Sequence, residues 1–152
     1  MKVSTGVLLT GAALVSIFCS IPTYARDHSE LNGTWALVAA KSDFAGQAVV
    51  QTGTVTIADR EGIIIVSRSF VYAGAAETFF YRDVTDSEHG DTFHDGKDLK
   101  SRTNWDHDVL KVTTTRSGVV TVESYTLADD GTLMDTVVSP GHAPITLLFQ
   151  RR

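Results

Sequence analysis

Apolar and polar residues alternate along several short segments of this chain, as they do in strands that bury one face. The clearest segments are residues 34–39, 54–57, 110–114 and 145–149. Threonine, valine and aromatic residues dominate them, and these residue types suit a pleated, half-buried surface. Ile63 to Val66 is an unbroken β-branched run, which predicts a strand covered on both faces.

Turn-forming residues separate these segments. Asn32-Gly33, Ser117-Gly118 and Pro140-Gly141 are examples, and each supplies residues that tolerate tight or left-handed turns. Strands and turns that repeat every 8–12 residues or so are typical of a meander, sandwich or barrel. The pattern therefore predicts one all-β antiparallel domain of about eight to ten strands, although the alanines within residues 36–50 are also compatible with a short helix.

The first 25 residues follow a different pattern. Lys2 precedes an apolar run over residues 7–21, and Thr23-Tyr24-Ala25 places small residues three and one positions before the next residue, Arg26. This is the arrangement of a cleavable signal peptide, and the apolar run is shorter than the roughly 20 residues that a spanning helix needs. The sequence predicts a signal peptide over 1–25, a mature domain over 26–152, and a periplasmic or secreted location.

Composition narrows the possible partners and chemistry. The chain has 13 basic and 18 acidic residues, and cleavage after residue 25 removes only Lys2, so the mature net charge is −6. An acidic chain without a basic run is a poor partner for nucleic acid. The single cysteine, Cys19, lies in the leader, so the mature domain has no disulfide, thiolate metal site or cysteine nucleophile. A lipoprotein interpretation of Cys19 is disfavoured, because Phe18 stands where a small residue is expected.

Three motifs resemble those of lipocalin-like exported bacterial proteins, a largely uncharacterised family of calycin type. They are Leu31-Asn32-Gly33-Thr34-Trp35-x-Leu37, followed by Lys41-Ser42-Asp43-Phe44; Trp105-Asp106-x-Asp108-x-Leu110-x-Val112; and Tyr125-Thr126-Leu127-x-x-Asp130-Gly131. Gly33-x-Trp35 also matches the lipocalin hallmark. The resemblance implies an up-and-down antiparallel barrel that binds small, often apolar molecules, and it carries over no catalytic residue. The chain differs from true lipocalins in being shorter and in lacking their flanking helix.

Four aromatic residues are candidate ligand contacts. Phe79 and Tyr81 share one strand face, and Phe70 and Tyr72 form a second pair, because side chains alternate along a strand. The competing interpretation is that these aromatics fill the core. A barrel of about eight strands is either packed solid or holds one small ligand, and the sequence leaves both open.

Metal and catalytic sites have weaker support. Histidines and aspartates crowd residues 89–108, but their spacing matches no zinc or calcium motif, and turn formation explains the aspartates. The chain has no G-x-S-x-G elbow or glycine-rich phosphate loop. Thr113-Thr114-Thr115-Arg116 and Glu123-Ser124 would interrupt the lipid-facing band of an outer-membrane barrel. We therefore expect no metal, cofactor, catalytic residue or membrane span after cleavage.

Two classes of function remain. The first is an exported, non-enzymatic barrel that binds a small apolar or amphipathic ligand. The alternative is a protein-interaction or inhibitor module of the cell envelope with a filled barrel, and an enzyme ranks third. An interior that is open favours the first class, whereas a filled core with an exposed apolar patch favours the second.

The alternation of side chains along the first and last strands also predicts how the barrel closes. Ile145, Leu147, Phe149 and Arg151 share one strand face, and Trp35 lies near the start of the first strand. If the first and last strands pair antiparallel, Trp35 and Arg151 fall at the same barrel end. Lipocalins place a late arginine or lysine over this tryptophan, so the resemblance implies the same contact. We expect the guanidinium within about 6 Å of the indole centroid.

Processing at the predicted site is directly testable. N-terminal sequencing of protein exported by its own host should begin at Arg26, because Thr23 and Ala25 satisfy the small-residue requirement of signal peptidase. A mature protein that retains residues 1–25 would contradict the prediction.

Overall fold

The computed structural model describes residues 28–60, 63–84, 90–94 and 97–152, with side chains described for 28–60, 63–78 and 100–152. The predicted signal peptide, residues 1–25, lies outside these ranges. None of the helical segments in the described ranges is long and apolar enough to cross a bilayer.

Ten β-strands form the described part of the domain. They are β1 (Gly33–Leu37), β2 (Val50–Arg60), β3 (Ile63–Tyr72), β4 (Ala75–Val84), β5 (Gly90–His94), β6 (Lys97–Asp106), β7 (Val109–Arg116), β8 (Val119–Leu127), β9 (Leu133–Val138) and β10 (Ile145–Arg151). Each strand pairs antiparallel with the next, and β1 pairs with β10 to close the barrel. The predicted all-β, up-and-down barrel is confirmed. The alanine-rich segment forms only a 3₁₀ turn at Ala39–Lys41, and a second such turn, Ser29–Leu31, precedes β1.

Strand β3 shows why these sequences form a barrel wall. Ile64, Val66, Arg68 and Phe70 are buried, and the residues between them are only partly buried. The expectation that both faces of the run from Ile63 to Val66 are covered was wrong. A barrel is a single sheet closed on itself, so only the inner face of each strand packs into the core.

The antiparallel order gives the barrel two distinct ends. The start of β1, the finish of β10 and the β6–β7 and β8–β9 turns lie at one end, which we call the tryptophan end after Trp35. The β1–β2, β3–β4, β7–β8 and β9–β10 connections lie at the other end. We call this the valine end, after four exposed valines described below.

Trp35 and Arg151 meet at the tryptophan end. They are partners in the β1–β10 register, and the Arg151 Cζ atom lies 4.4 Å from the indole centroid, inside the cation–π limit of about 6 Å. The Trp35 side chain is 0% exposed. Gly33 makes room for the guanidinium, since a Cβ at this position would lie 2.8 Å from Arg151 Nη1. The Gly33-x-Trp35 motif therefore has a steric reason.

The segment before β1 plugs the same end. Arg151 donates hydrogen bonds to the carbonyl oxygens of Asn32 (2.7 Å) and Glu30 (2.6 Å). Trp35 Nε1 donates to the carbonyl oxygen of Leu31 at 3.0 Å, and the Leu31 side chain is buried. The guanidinium and the indole thus fix both the plug and the seam between the first and last strands.

Two further contacts hold the plug against the barrel wall. Asn32 exchanges hydrogen bonds with the Asp59 backbone, accepting from its N–H (2.6 Å) and donating to its carbonyl (3.3 Å). His28 stacks on Trp105, with ring centroids 3.7 Å apart and planes 7° from parallel. Beneath the plug lies the apolar core, which includes Trp35, Val55, Ile57, Ile64, Val66, Leu110, Leu133 and Phe149.

Replacement of Arg151 by methionine tests this closure. Arg151→Met keeps an unbranched side chain but replaces the guanidinium with an apolar end. It loses the two charge-assisted hydrogen bonds and the cation–π contact, so the free energy of unfolding should fall by about 1–3 kcal/mol. Arg152→Met, which changes the neighbouring exposed arginine, should change it by less than about 0.5 kcal/mol. Urea denaturation followed by circular dichroism measures both. Equal stability of the two variants would contradict the assigned role of Arg151.

Candidate functional site

Burial of the inward-facing residues differs between the two ends of the barrel. In the tryptophan-end half, Trp35, Leu110, Leu133 and Phe149 are 0% exposed. Toward the valine end Val50 and Ser101 are buried, but six inward-facing residues remain partly exposed: Leu37, Tyr72, Thr114, Thr121, Val137 and Ile145. The register places these six on the same sheet face as buried core residues. At the tryptophan end the inward-facing Trp105 and Leu127 are also partly exposed, so the larger share of the accessible inward positions, rather than all of them, lies on the valine-end side.

Four exposed valines lie at this end of the barrel. Among residues with described side chains, the large hydrophobics that remain exposed are Val49 (55%), Val119 (50%), Val120 (41%) and Val138 (45%). All four lie where β2 and β8 begin and where β9 ends. Concentrated apolar exposure of this kind marks a contact surface better than scattered residues do, so the valine end is the candidate entrance.

A buried ion pair crosses the interior at mid-height. The Arg68 guanidinium on β3 is bonded to the Glu123 carboxylate on β8, and both side chains are nearly inaccessible to solvent. β3 and β8 are separated by β4–β7 in one direction around the barrel and by β2, β1, β10 and β9 in the other. They are therefore opposite walls, and the ion pair separates the packed half of the lumen from the accessible half.

Two neighbouring side chains complete the polar group in the lumen. The Tyr125 hydroxyl donates to Glu123 Oε2 at 3.0 Å. Asp135 on β9 is the register partner of Tyr125, and its side chain is fully buried. We call Arg68, Glu123, Tyr125 and Asp135 the lumen cluster.

Asp135 is the member of the lumen cluster whose polar atoms are least satisfied. Neither carboxyl oxygen meets hydrogen-bond geometry with any described group. Burial, followed by repulsion from Glu123, raises the pKa of Asp135 well above its usual value, while Arg68 and the Ser124 backbone act in the opposite direction and more weakly. The cluster thus combines one guanidinium with two carboxyl groups, one of which favours its neutral form.

Aromatic packing supports the guanidinium. The Arg68 Cζ atom lies 4.9 Å from the centroid of the Phe70 ring, and Phe70 stacks on Phe149 at 6.2 Å. Gly53 allows this arrangement, because a Cβ there would lie 2.6 Å from the Phe70 ring. Phe70 is therefore both core packing and a support for the lumen cluster.

The structure brings one predicted aromatic pair together. Phe70 and Tyr72 lie edge to face with centroids 6.4 Å apart; Phe70 is buried and Tyr72 is partly exposed toward the valine end. Burial raises the pKa of Tyr72 above its usual value. Phe79 and Tyr81 lie in β4 opposite Arg68 and Val66 in the register, but their side chains lie outside the described residues, so their predicted ligand contacts stay predictions.

Sequence reasoning missed the lumen cluster, although the sequence carries a signal for it. Arg68 lies on the same strand face as the buried Val66 and Phe70, and Asp135 lies on the same strand face as Leu133. A charged residue at an inward position is unusual, because burial of an unpaired charge is costly. Glu123 was interpreted only as an interruption of an apolar band, whereas it lies on the inner face.

Where it is described, the histidine- and aspartate-rich segment forms β5, β6 and the β6–β7 turn, in which His107 and Asp108 lie. Asp106 is bonded to Lys111 and accepts a hydrogen bond from His107 Nδ1 at 2.9 Å, and these hydrogen bonds lower the pKa of Asp106. Within the described ranges no three histidine, cysteine or acidic residues form a group that could hold a metal. His89 and Asp95 lie outside the described residues, as do the side chains of Asp91, His94 and Asp98.

Comparison with known proteins supports the fold. Neither a protein-family model nor a curated protein sequence matches the chain. Solved structures do match. The REP1-NXSQ fatty acid transporter has a TM-score of 0.62 at 18% identity, covering 82% of this chain and 97% of its own. The wild-type fluorescent protein UnaG has a TM-score of 0.60 at 20% identity, covering 80% and 96%. A Schistosoma mansoni fatty acid binding protein in complex with arachidonic acid has a TM-score of 0.60 at 16% identity, covering 82% and 98%. At these identities the likeness shows a shared barrel fold.

The raised pKa of Asp135 predicts a pH-dependent stability. Above about pH 4, the ordinary pKa of an aspartate, the unfolded chain loses the Asp135 proton while the folded chain retains it. The free energy of unfolding of the wild type should therefore fall relative to Asp135→Asn as the pH rises through the folded-state pKa. Urea titrations from about pH 4 to pH 9 measure the difference. The exposed Asp129→Asn variant is the control and should stay within about 0.5 kcal/mol of wild type throughout; a pH-independent difference for Asp135→Asn would refute the assignment.

Proposed function

We propose that this protein is an exported, non-enzymatic binding protein that holds a small apolar or amphipathic molecule in the valine-end half of its barrel. The observation that carries the proposal is the partial exposure of inward-facing residues between the lumen cluster and the valine end. Ligand sites combine mostly apolar walls with a few placed polar groups, and this half of the lumen has both.

The arrangement suits an amphipathic molecule in one orientation. Leu37, Tyr72, Val137 and Ile145 supply apolar surface toward the entrance, and the lumen cluster supplies polar groups at greater depth. Transfer of apolar surface from water contributes about 25 cal/mol per Å². After the cost of association, burial of an alkyl chain can therefore support affinities of about micromolar strength.

The names of the structural neighbours add support. Two of them are named as a fatty acid transporter and a fatty acid binding protein, so the shared barrel fold is one that such proteins use for apolar ligands. Export, to the periplasm or beyond, rests on the leader pattern of residues 1–25 and remains part of the proposal.

The alternative function, a protein-interaction module with a filled barrel, has less support. A filled interior would bury Tyr72 and Val137 as completely as Trp35 and Leu133 are buried at the other end. Instead, those two residues keep solvent exposure, and the four exposed valines lie at the same end. The exposed valines alone fit either function, because an exposed apolar patch also suits a protein partner. The exposure of the inward-facing residues is the observation that favours a ligand entrance.

A fluorescent probe and a blocked lumen test the proposal. The neutral apolar dye N-phenyl-1-naphthylamine should bind the mature domain saturably, at one site and with about micromolar affinity. Val137→Trp places an indole at an inward position of β9 and should weaken dye binding about tenfold or more, because it occupies the accessible lumen. Thr136→Trp adds the same group to the outer face of the same strand and should leave the affinity unchanged.

Thermal unfolding of both variants establishes that they are folded at the temperature of the titration. Absence of saturable dye binding to the wild type would refute the proposed function. Equal weakening by the two tryptophan variants would refute the assignment of the site to the lumen.

A further inference from the structure

The accessible inward positions at the valine end form a single layer of side chains. Each of them is the last or second-last inward-facing residue of its strand at that end. We call them the entrance layer, and all of its members are partly exposed: Leu37, Tyr72, Thr114, Thr121, Val137 and Ile145. On these six strands, solvent therefore reaches into the barrel over the depth of one layer.

The next inward-facing residue on each of the six strands is buried. Two positions deeper lie the residues that we call the floor layer, none of them more than 3% exposed: Trp35, Phe70, Val112, Glu123, Asp135 and Leu147. On two further strands burial begins nearer the entrance, at Val50 of β2 and Ser101 of β6. The side chains of β4 beyond Thr78 and of β5 lie outside the described residues. Around most of the described wall, the change from accessible to buried is thus abrupt.

Two contacts across the lumen brace the floor layer. Glu123 is bonded to Arg68 on the opposite wall, and Phe70 of β3 stacks on Phe149 of β10 with ring centroids 6.2 Å apart. A ligand that passed between these walls would have to part the packed rings or separate the buried ion pair, which is strongly unfavourable because it leaves buried charges without partners. The floor layer therefore limits how deeply a ligand can enter.

The strands give the depth of the space above this floor. Phe70 lies two residues from the valine-end terminus of β3, and Glu123 lies four residues from that of β8. At about 3.3 Å per residue this is roughly 7–13 Å along the strands, and a barrel tilt of about 40° reduces it to roughly 5–10 Å along the axis. An extended backbone advances about 1.2 Å per bond, so an alkyl chain of similar geometry fills that depth with about eight carbons at most.

We propose that the barrel buries only a short segment of its ligand, of up to about eight carbons, and that its ligands are short-chain and medium-chain amphipathic molecules. The floor layer sets this limit, whichever polar group the ligand carries. The remainder of a longer chain stays outside the lumen and adds little affinity, because it is not removed from water. The inference rests on the proposed function and adds to it the size of the ligand.

A homologous series of neutral alcohols tests the limit. Hexanol, octanol, decanol and dodecanol, each below its solubility limit, compete with N-phenyl-1-naphthylamine for the mature wild-type domain. We expect the affinity to rise about fourfold per methylene up to octanol, because each added group is buried. From decanol to dodecanol it should rise by less than about 1.5-fold per methylene, because the added groups remain in water.

Titration calorimetry of the wild type at several temperatures supplies a second readout. Burial of apolar surface gives a negative heat-capacity change of binding. Its magnitude should grow from hexanol to octanol and stay constant from decanol to dodecanol. This measurement tests the limit without any substitution in the barrel.

Two threonine substitutions on β7 assign the limit to the lumen. Thr114→Leu adds apolar volume to the entrance layer and should lower the chain length at which affinity levels off by about two carbons. Thr113→Leu adds the same group to the outer face of the same strand and should leave that chain length unchanged. Thermal unfolding establishes that both variants are folded at the temperature of the titration.

The outcomes separate the inference from the proposed function. A gain per methylene that continues undiminished through dodecanol overturns the inference, as does a heat-capacity change that keeps growing with chain length. A limit that Thr114→Leu leaves unchanged, or that Thr113→Leu shifts equally, also overturns it, and so does failure of the alcohols to displace a dye that does bind. In each of these cases dye binding upholds the barrel as a binding protein. Failure of the dye itself to bind refutes the proposed function, and the inference with it.

Discussion

The seam between β1 and β10 is the contact on which the barrel depends, because it converts an open sheet with two exposed edges into a closed wall. The seam is short: three residue pairs are in register, from Trp35–Arg151 to Leu37–Phe149. Asp43, which lies in the β1–β2 connection, extends the seam by exchanging two backbone hydrogen bonds of 2.8 Å with Thr146 of β10. Arg151 reinforces the other end of the seam by binding the indole and the plug together.

Closure then determines where polar groups can be placed. Every strand has an inner face, and a charged residue on that face must find its partner across the lumen or along the wall. Arg68 finds Glu123 on the opposite wall, and Tyr125 satisfies a second carboxylate oxygen along the same strand. Asp135 has no such partner among the described groups. Its burial is an energetic cost that the folded core of the tryptophan-end half must offset.

The part of the structure that sequence patterns predicted is the part that depends on local periodicity. The alternation of side chains predicts that Trp35, Phe149 and Arg151 lie on inner positions. If the first and last strands pair antiparallel, this alternation is enough to predict the contact between the indole and the guanidinium. The Arg68–Glu123 contact requires more, because it depends on which strands face each other. With about eight strands, a number the sequence also allowed, β3 would face β7. The ten-strand count makes β8 its opposite wall, and strand count is a property of the whole closed sheet.

The same strands contribute inward-facing residues to both halves of the barrel, and the two halves bury these residues to different extents. β8 contributes the fully buried Tyr125 to the packed half and the partly exposed Thr121 to the accessible half, with Glu123 between them. Replacement of buried ionic groups by apolar residues of similar volume is often neutral or stabilising. The lumen cluster is therefore not what a barrel built only for stability would contain at its centre. Proteins commonly give up stability where function needs a buried polar group, and the Arg68–Glu123 pair lies where the packed half of the lumen meets the accessible half.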